Sequence, residues 1–205
     1  MLRSSFLLVC AALLAPVCIA QTKLEATDIV NHPFSKEFAS GGTLRLRVRS
    51  GEIHVIGTNV NRISVELSGR NAYDAGNLRV RLERKNSTAD MRISGGPRNH
   101  LTITIRIPKK TNLYARIPFG EVHVENIASN QDVELHAGEL IVDVGAAANY
   151  SHVDASVVTG ELDAVPFGES HGGLFRSFRR DGSGRYRLHA HVGAGQLTLQ
   201  SRSGL

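Results

Sequence analysis

Gly120-Glu121-Val122-His123-Val124 and, eighteen residues on, Gly138-Glu139-Leu140-Ile141-Val142 are two copies of one short pattern. Three more copies flank them: Gly51-Glu52-Ile53-His54-Val55, Gly160-Glu161-Leu162-Asp163-Ala164 and Gly195-Gln196-Leu197-Thr198-Leu199. The shared order is glycine, Glu or Gln, an aliphatic residue, a variable one, and another small or aliphatic one. Glycine reaches positive φ without a Cβ clash, and the residues after it alternate inward and outward as a half-buried strand requires. Each copy therefore reads as one turn followed by one short strand. The pattern holds no nucleophile, no base and no cofactor cradle, so it specifies architecture and leaves chemistry to other residues.

The same alternation fills most of the remaining chain. Leu44, Leu46 and Val48 interleave with Arg45, Arg47 and Arg49; Leu78, Val80 and Leu82 with Arg79, Arg81 and Glu83; and Leu101, Ile103, Ile105 and Ile107 with Thr102, Thr104 and Arg106. These are strands with one wet face. No long window has helical periodicity, and Ala146-Ala147-Ala148 beside Gly145 is too short for a helix. The expected fold class is all-β. Before about Pro118, longer strands joined by polar loops such as Gly69 to Gly76 and Arg84 to Asp90 suit a sandwich-like antiparallel portion. From Phe119 onward the glycines at 120, 138 and 160 tighten the punctuation, which suits a β-solenoid or β-roll of short strands, with a twisted sandwich as the competing geometry. Phe167, Phe175 and Phe178, set among glycines and Arg176, Arg179 and Arg180 between Pro166 and Gly184, read as a loop covering a sheet edge; a binding loop is the alternative.

The N-terminus has Arg3, an apolar run from Phe6 to Leu14, Pro16, and a small residue at Ala20 before polar Gln21-Thr22-Lys23. That is the form of a secretory signal peptide, cleaved after Ala20. The organisation expected is a signal peptide over 1–20, a lead-in segment over 21–40 and a β-strand-repeat domain over 41–205. Cys10 and Cys18 both fall inside the signal segment, so the mature chain has no thiol and its stability must come from ordinary burial. No segment approaches the roughly 20 apolar residues of a membrane-spanning helix. The protein is expected to be exported, to the periplasm, the cell surface or the medium.

The order of motifs resembles a known family. Gly-Gly-Thr-Leu-Arg-Leu-Arg-Val-Arg-Ser-Gly-Glu-Ile-His-Val-Ile-Gly over 41–57, Ile-Arg-Ile-Pro over 105–108 and the recurrent glycine-led steps look like the bacterial putative-adhesin family of β-strand-repeat domains, a domain of unknown function. The likeness covers roughly residues 40 to 205 and rests on the order of its motifs. It implies an extracytoplasmic β-repeat protein without a known catalytic residue set.

Charge divides the chain. Residues 21 to 119 hold 17 Lys or Arg against 8 Asp or Glu. Residues 120 to 175 hold no Lys or Arg and ten acids, and the last 30 residues hold six Arg against Asp181. Such segregation creates opposed surface fields and permits head-to-tail self-association. The outward residues Arg45, Arg47, Arg49, Arg79, Arg81 and Arg106 form a candidate polyanion-binding face, against the plainer reading of a solvated face that resists edge aggregation. Nucleic acid is not the expected partner, because aromatics are only 5% of the chain and few are interleaved with the arginines. A cell-envelope polymer, a surface glycan or another protein is.

In the acidic segment, alternation sets Glu121, His123 and Glu125 on one face, followed by Glu134 and His136, His152 and Asp154, and Glu161 and Asp163. Stacked in register, they would line one ladder. His123, His136, His152 and Asp154 are the candidate metal ligands, since imidazole beside carboxylate suits a divalent transition metal. No zinc-motif spacing or calcium-binding nonapeptide accompanies them, and no cofactor is expected. The mature chain has no Cys and no strand-to-helix elbow of the Gly-x-Ser-x-Gly type, and His171 after Ser170 is unaccompanied, so no nucleophilic site is expected. The expected function is a non-catalytic exported module for adhesion, scaffolding or envelope interaction. A polyanion or divalent-metal binder is the runner-up, and a polysaccharide-active enzyme built from the acidic rungs is the third reading.

Overall fold

The computed structural model describes residues 22–72, 74–97 and 99–201, so the expected signal segment lies outside the described residues. Its strands in chain order are β1 (Thr22–Ala26), β2 (Phe34–Glu37), β3 (Thr43–Val48), β4 (Ser50–Thr58), β5 (Arg62–Ser68), β6 (Arg79–Lys85), β7 (Thr88–Ser94), β8 (Thr102–Pro108), β9 (Asn112–Glu125), β10 (Gln131–Asp143), β11 (Tyr150–Ala164), β12 (Glu169–Asp181) and β13 (Tyr186–Gln200). They hydrogen-bond into one thirteen-stranded sheet. The all-β expectation holds, and the only helical segments among the described residues are the 3₁₀ turns Ala147–Asn149 and Val165–Phe167. No helix among them is long and apolar enough to cross a membrane.

Gly51, second residue of β4, leads its strand, but the other four repeat glycines do not head short strands; they sit inside long ones. Strands β9, β10, β11 and β13 run 13 to 15 residues each, and Gly120, Gly138, Gly160 and Gly195 lie within them at φ of 133 to 137°. Adjacent strands place them side by side in the order Gly51, Gly120, Gly138, Gly195, Gly160, and Gly173 of β12 adds a sixth rung. The ladder is as crowded as a close backbone approach can make it. A Cβ on Gly138 would stand 1.9 Å from the carbonyl oxygen of Gly120, and one on Gly195 the same distance from that of Gly138.

At Gly120, Gly138, Gly160 and Gly195 the strand changes which side it buries. In β9, Leu113, Ala115 and Ile117 are buried before Gly120, but Val122 and Val124 after it; in β13, Leu188, Ala190 and Val192 precede Gly195, and Leu197 and Leu199 follow. Along an unbroken pleat the two sets would face opposite ways. All of them nevertheless belong to a single core. The chain therefore folds over at the glycine and gives one arm to each of two layers around a shared interior. At roughly 1.5 to 3 kcal/mol for each large aliphatic side chain, this burial is the main stabilising term, as the absence of cysteine after residue 18 requires.

Strands β9, β10, β13 and β11 are parallel neighbours in that order. β13, the last strand among the described residues, is thus inserted between β10 and β11, and the turns do not stack in the order of the sequence. The portion before Pro118 is mixed where a wholly antiparallel one is expected: β1, β6 and β7 pair antiparallel, as do β2, β5 and β8, but β3 and β4 join their neighbours in parallel. The polar stretch from Arg84 to Asp90 is largely the tip of the β6–β7 hairpin, with Lys85 opposite Thr88. Two strands of the lead-in segment join the sheet, and Ile29, Phe34 and Phe38 enter the core. The stretch after Pro166 is a strand, not a covering loop: β12 pairs antiparallel with β11 along its length. Phe167 and Phe178 pack inward, whereas Phe175, at positive φ, is 79% exposed.

Candidate functional site

The outer face of the layer formed by the arms before the glycines carries two rows of polar side chains, each running across the strands. Register puts Arg81, Arg92, Arg47, Arg116, Glu134, His191 and Ser156 side by side in one row. The neighbouring row runs Asp90, Arg45, Tyr114, Asp132, His189, Asp154 and Arg179. A shallow groove of about 720 Å³ crosses this face beside the glycine corner, with Arg47, Arg49, Arg92 and Arg116 toward one end and His136 and His191 toward the other.

The charges are unevenly matched. Arg116 forks onto the acidic strand β10, with Nη2 donating to Asp132 Oδ2 at 3.1 Å and Nε lying 3.0 Å from Glu134 Oε2. At the other end of the row Arg81 donates to Glu25 at 3.2 Å. Between them, Arg47 and Arg92 have no carboxylate within ion-pair distance among the described residues, and neither do Arg45 and Arg49. Of the six arginines expected to act together, Arg45, Arg47, Arg79 and Arg81 lie on strands of this layer, and Arg49 is the single residue between β3 and β4. Arg106 does not: it is on β8, in the other layer, paired with Glu66. Arg92 and Arg116 complete the group, and only the parallel pairing of β3 with both β7 and β9 reveals them.

The histidines and acids of the repeat segment form two ladders on different layers, where one is expected. Beyond the glycine corner Glu52, Glu121, Glu139, Gln196 and Glu161 stand in register. Beside the first two, His54 and His123 stack with ring centroids 4.5 Å apart, each bonded through Nε2 to its own carboxylate, Glu52 at 2.9 Å and Glu121 at 2.6 Å. The Thr102 hydroxyl also donates to Glu52, and this bond, followed by the one to His54, holds the Glu52 carboxyl below its ordinary range. In the core, burial pushes the Tyr150 hydroxyl up to about 12, although it accepts a bond from the Gln131 amide at 3.1 Å.

The four expected metal ligands are dispersed. His123 belongs to the stacked pair, His136 meets the Phe119 ring edge-on at 5.9 Å, His152 bonds Asp181 at 2.6 Å, and Asp154 takes Arg179 at 3.0 Å. The set whose ligand atoms do converge, all within 4.8 Å, is Asp132, Glu134 and His189. Arg116 already neutralises both carboxylates of that set. Asp132 and Glu134 alternate legibly in the sequence, but His189 reaches them only because β13 is inserted next to β10. As for nucleophiles, Ser156 Oγ lies 2.9 Å from His191 Nδ1, with no acid bonded to the imidazole among the described residues. The side chain of His171 lies outside the described residues.

No family model and no curated protein matches the chain. Among solved structures it is similar to a protein of Clostridium sporogenes described as a putative cell adhesion protein, at 12% identity over 83% of this chain and 99% of that one, with a TM-score of 0.52. A Bacteroides fragilis structure described as a putative adhesin aligns at 12% identity over 82% of this chain and 97% of that one, with a TM-score of 0.34. At this identity the first likeness is one of fold, spanning nearly the whole of the Clostridium chain.

Proposed function

We propose that the protein is a non-catalytic exported β-repeat module that attaches to a partner at the cell surface or in the envelope. The observation that carries this reading is the outer face of the first layer, an open, charge-segregated surface several strands wide, crossed by a shallow groove and built on a rigid two-layer frame. Such a surface suits attachment to an extended partner. The fold shared with a structure described as a cell adhesion protein supports it. We also infer that the glycine-bent strands form a β-roll, with each bent strand contributing one coil.

Immobilised mature protein is expected to retain polymer from envelope or surface extracts at low salt, read by composition of the bound fraction. Retention of nothing, from extracts of several bacterial envelopes, would remove the reading. Release of reducing ends from a panel of polysaccharides would instead establish the enzymatic alternative.

A further inference from the structure

We infer that the groove over Arg47 and Arg92 binds a linear acidic polysaccharide bearing a carboxylate on its sugars, a polyuronate; this rests on the attachment reading above and names its ligand. The row of arginines beneath the groove is costly to the fold. Arg81, Arg92, Arg47 and Arg116 stand on four consecutive strands, about 4.8 Å from one strand to the next. Like charges directly opposite one another on neighbouring strands are destabilising. Carboxylates relieve the two ends of the row, Glu25 at Arg81 and Glu134 at Arg116. The two central guanidiniums are exposed and have no counter-ion among the described residues. An anion laid over Arg47 and Arg92 would complete the neutralisation that the fold leaves half done.

The arrangement fits a chain better than a single ion. The cationic row extends across the strands for about 14 Å, three strand steps. An extended run of pyranose rings advances by a comparable step per sugar. Arg45 on β3 and Arg49 just past its end flank Arg47, each about 7 Å along the chain from the row. Carboxylates that turn alternately to the two sides of a polysaccharide would therefore each meet a guanidinium, in the fork geometry that Arg presents to a carboxylate. Tyr114, 40% exposed and opposite Arg45, offers a ring against which a sugar face can lie. Single-stranded nucleic acid would require a series of stacking aromatics, and this face has one.

The test compares three polymers by isothermal titration with the mature protein: oligogalacturonate, inorganic polyphosphate of matched charge, and a neutral glucan. Oligogalacturonate is expected to bind at low salt and to weaken steeply as ionic strength rises, and the neutral glucan not to bind. The double variant R47Q/R92Q is expected to weaken binding about a hundredfold, roughly tenfold for each guanidinium–carboxylate pair removed. It should melt no lower than the native chain, because it relieves like-charge repulsion. R62Q/R70Q, which removes the same charge from exposed positions at the start of β5 and just after its end, is expected to change affinity by less than about threefold. The proposal is overturned if oligogalacturonate does not bind, if polyphosphate binds as tightly, or if the two double variants weaken binding equally. Retention of envelope material undiminished in R47Q/R92Q would overturn the groove while leaving the attachment reading standing. Loss of retention by the native chain itself is the separate failure of that reading.

Discussion

Replacing Gly138 by alanine tests the glycine corner most directly. The added methyl would stand 1.9 Å from the Gly120 carbonyl oxygen and 2.9 Å from its carbon, on backbone at φ of 135°. Both obstacles are main chain, so no side-chain rotation relieves the clash. A residue other than glycine in this region of φ costs roughly 1 to 3 kcal/mol. Shifting a hydrogen-bonded strand to make room costs a further 1 to 3 kcal/mol or so, by analogy with overpacked cores. A total of about 2 to 6 kcal/mol is expected, read as a fall in the urea midpoint at unchanged slope, or about 4 to 24 °C in melting temperature for a domain of this size. Two controls separate the terms. Gly145→Ala has φ of 58° and nothing within 4 Å of the new methyl, so it should show backbone strain alone, about 1 kcal/mol. Gly172→Ala has neither strain nor neighbour and should change little. Because the methyl at 138 meets Gly120 itself, Gly120→Ala and Gly138→Ala together should cost less than their sum, since one displacement of the ladder serves both. If Gly138→Ala were no worse than Gly145→Ala, the account of the corner would be wrong.

Two further outcomes follow from groups with unequal environments. Tyr150 has a folded pKa of about 12 against an ordinary 10.0, so the unfolded chain ionises first; the associated stability is complete below pH 10 and falls by roughly 2 to 3 kcal/mol as pH rises to 12. Tyr150→Phe should lower the urea midpoint at pH 8 by about 1 kcal/mol through the missing bond from Gln131, yet resist the alkaline decline, and parallel pH profiles for the two proteins would refute the burial argument. Arg116→Gln should leave stability within about 1 kcal/mol, since the pairs are partly exposed, but free Asp132 and Glu134 to join His189 around a cation. The variant should then melt several degrees higher with zinc than with a chelator, whereas the native chain melts alike in both; a zinc response in the native chain would show that Arg116 does not hold those carboxylates.

Local chemistry made the strands legible. Alternation such as Leu44-Arg45-Leu46-Arg47-Val48 identifies its buried and wet faces from residue type alone, and positive φ at Gly51, Gly120, Gly138, Gly160 and Gly195 follows from the glycine-led copies. The role of those glycines did not follow. A glycine that ends a strand and one that folds a strand over have the same neighbours in sequence, and only the switch in buried positions, from Ile117 to Val122 for example, distinguishes them. Gly173 was hidden because the antiparallel β12 approaches the ladder from the other direction, without the Glu and aliphatic residues that follow glycine in the other copies. The site was half legible for a related reason. Arg45 and Arg47 share a strand and Arg49 follows it directly, but their juxtaposition with Arg92 and Arg116, and that of Asp132 with His189, depends on which distant strands become neighbours. Pairing of that kind is set by the packing of the whole core and is not written in any local stretch.

The insertion of β13 between β10 and β11 also constrains the order of assembly. Residues 186–200 are made after β10, β11 and β12, yet they occupy the middle of the parallel array, with β10 on one side and β11 on the other. The half of the sheet that contains Leu135, Leu140, Val153 and Leu162 cannot close until β13 arrives, so a growing chain has no stable partial product in which β10 and β11 hold their final places. Contacts this distant in sequence make folding slow and late. This half of the sheet therefore stays open until residue 200 has been made, however early β10 and β11 form their own turns.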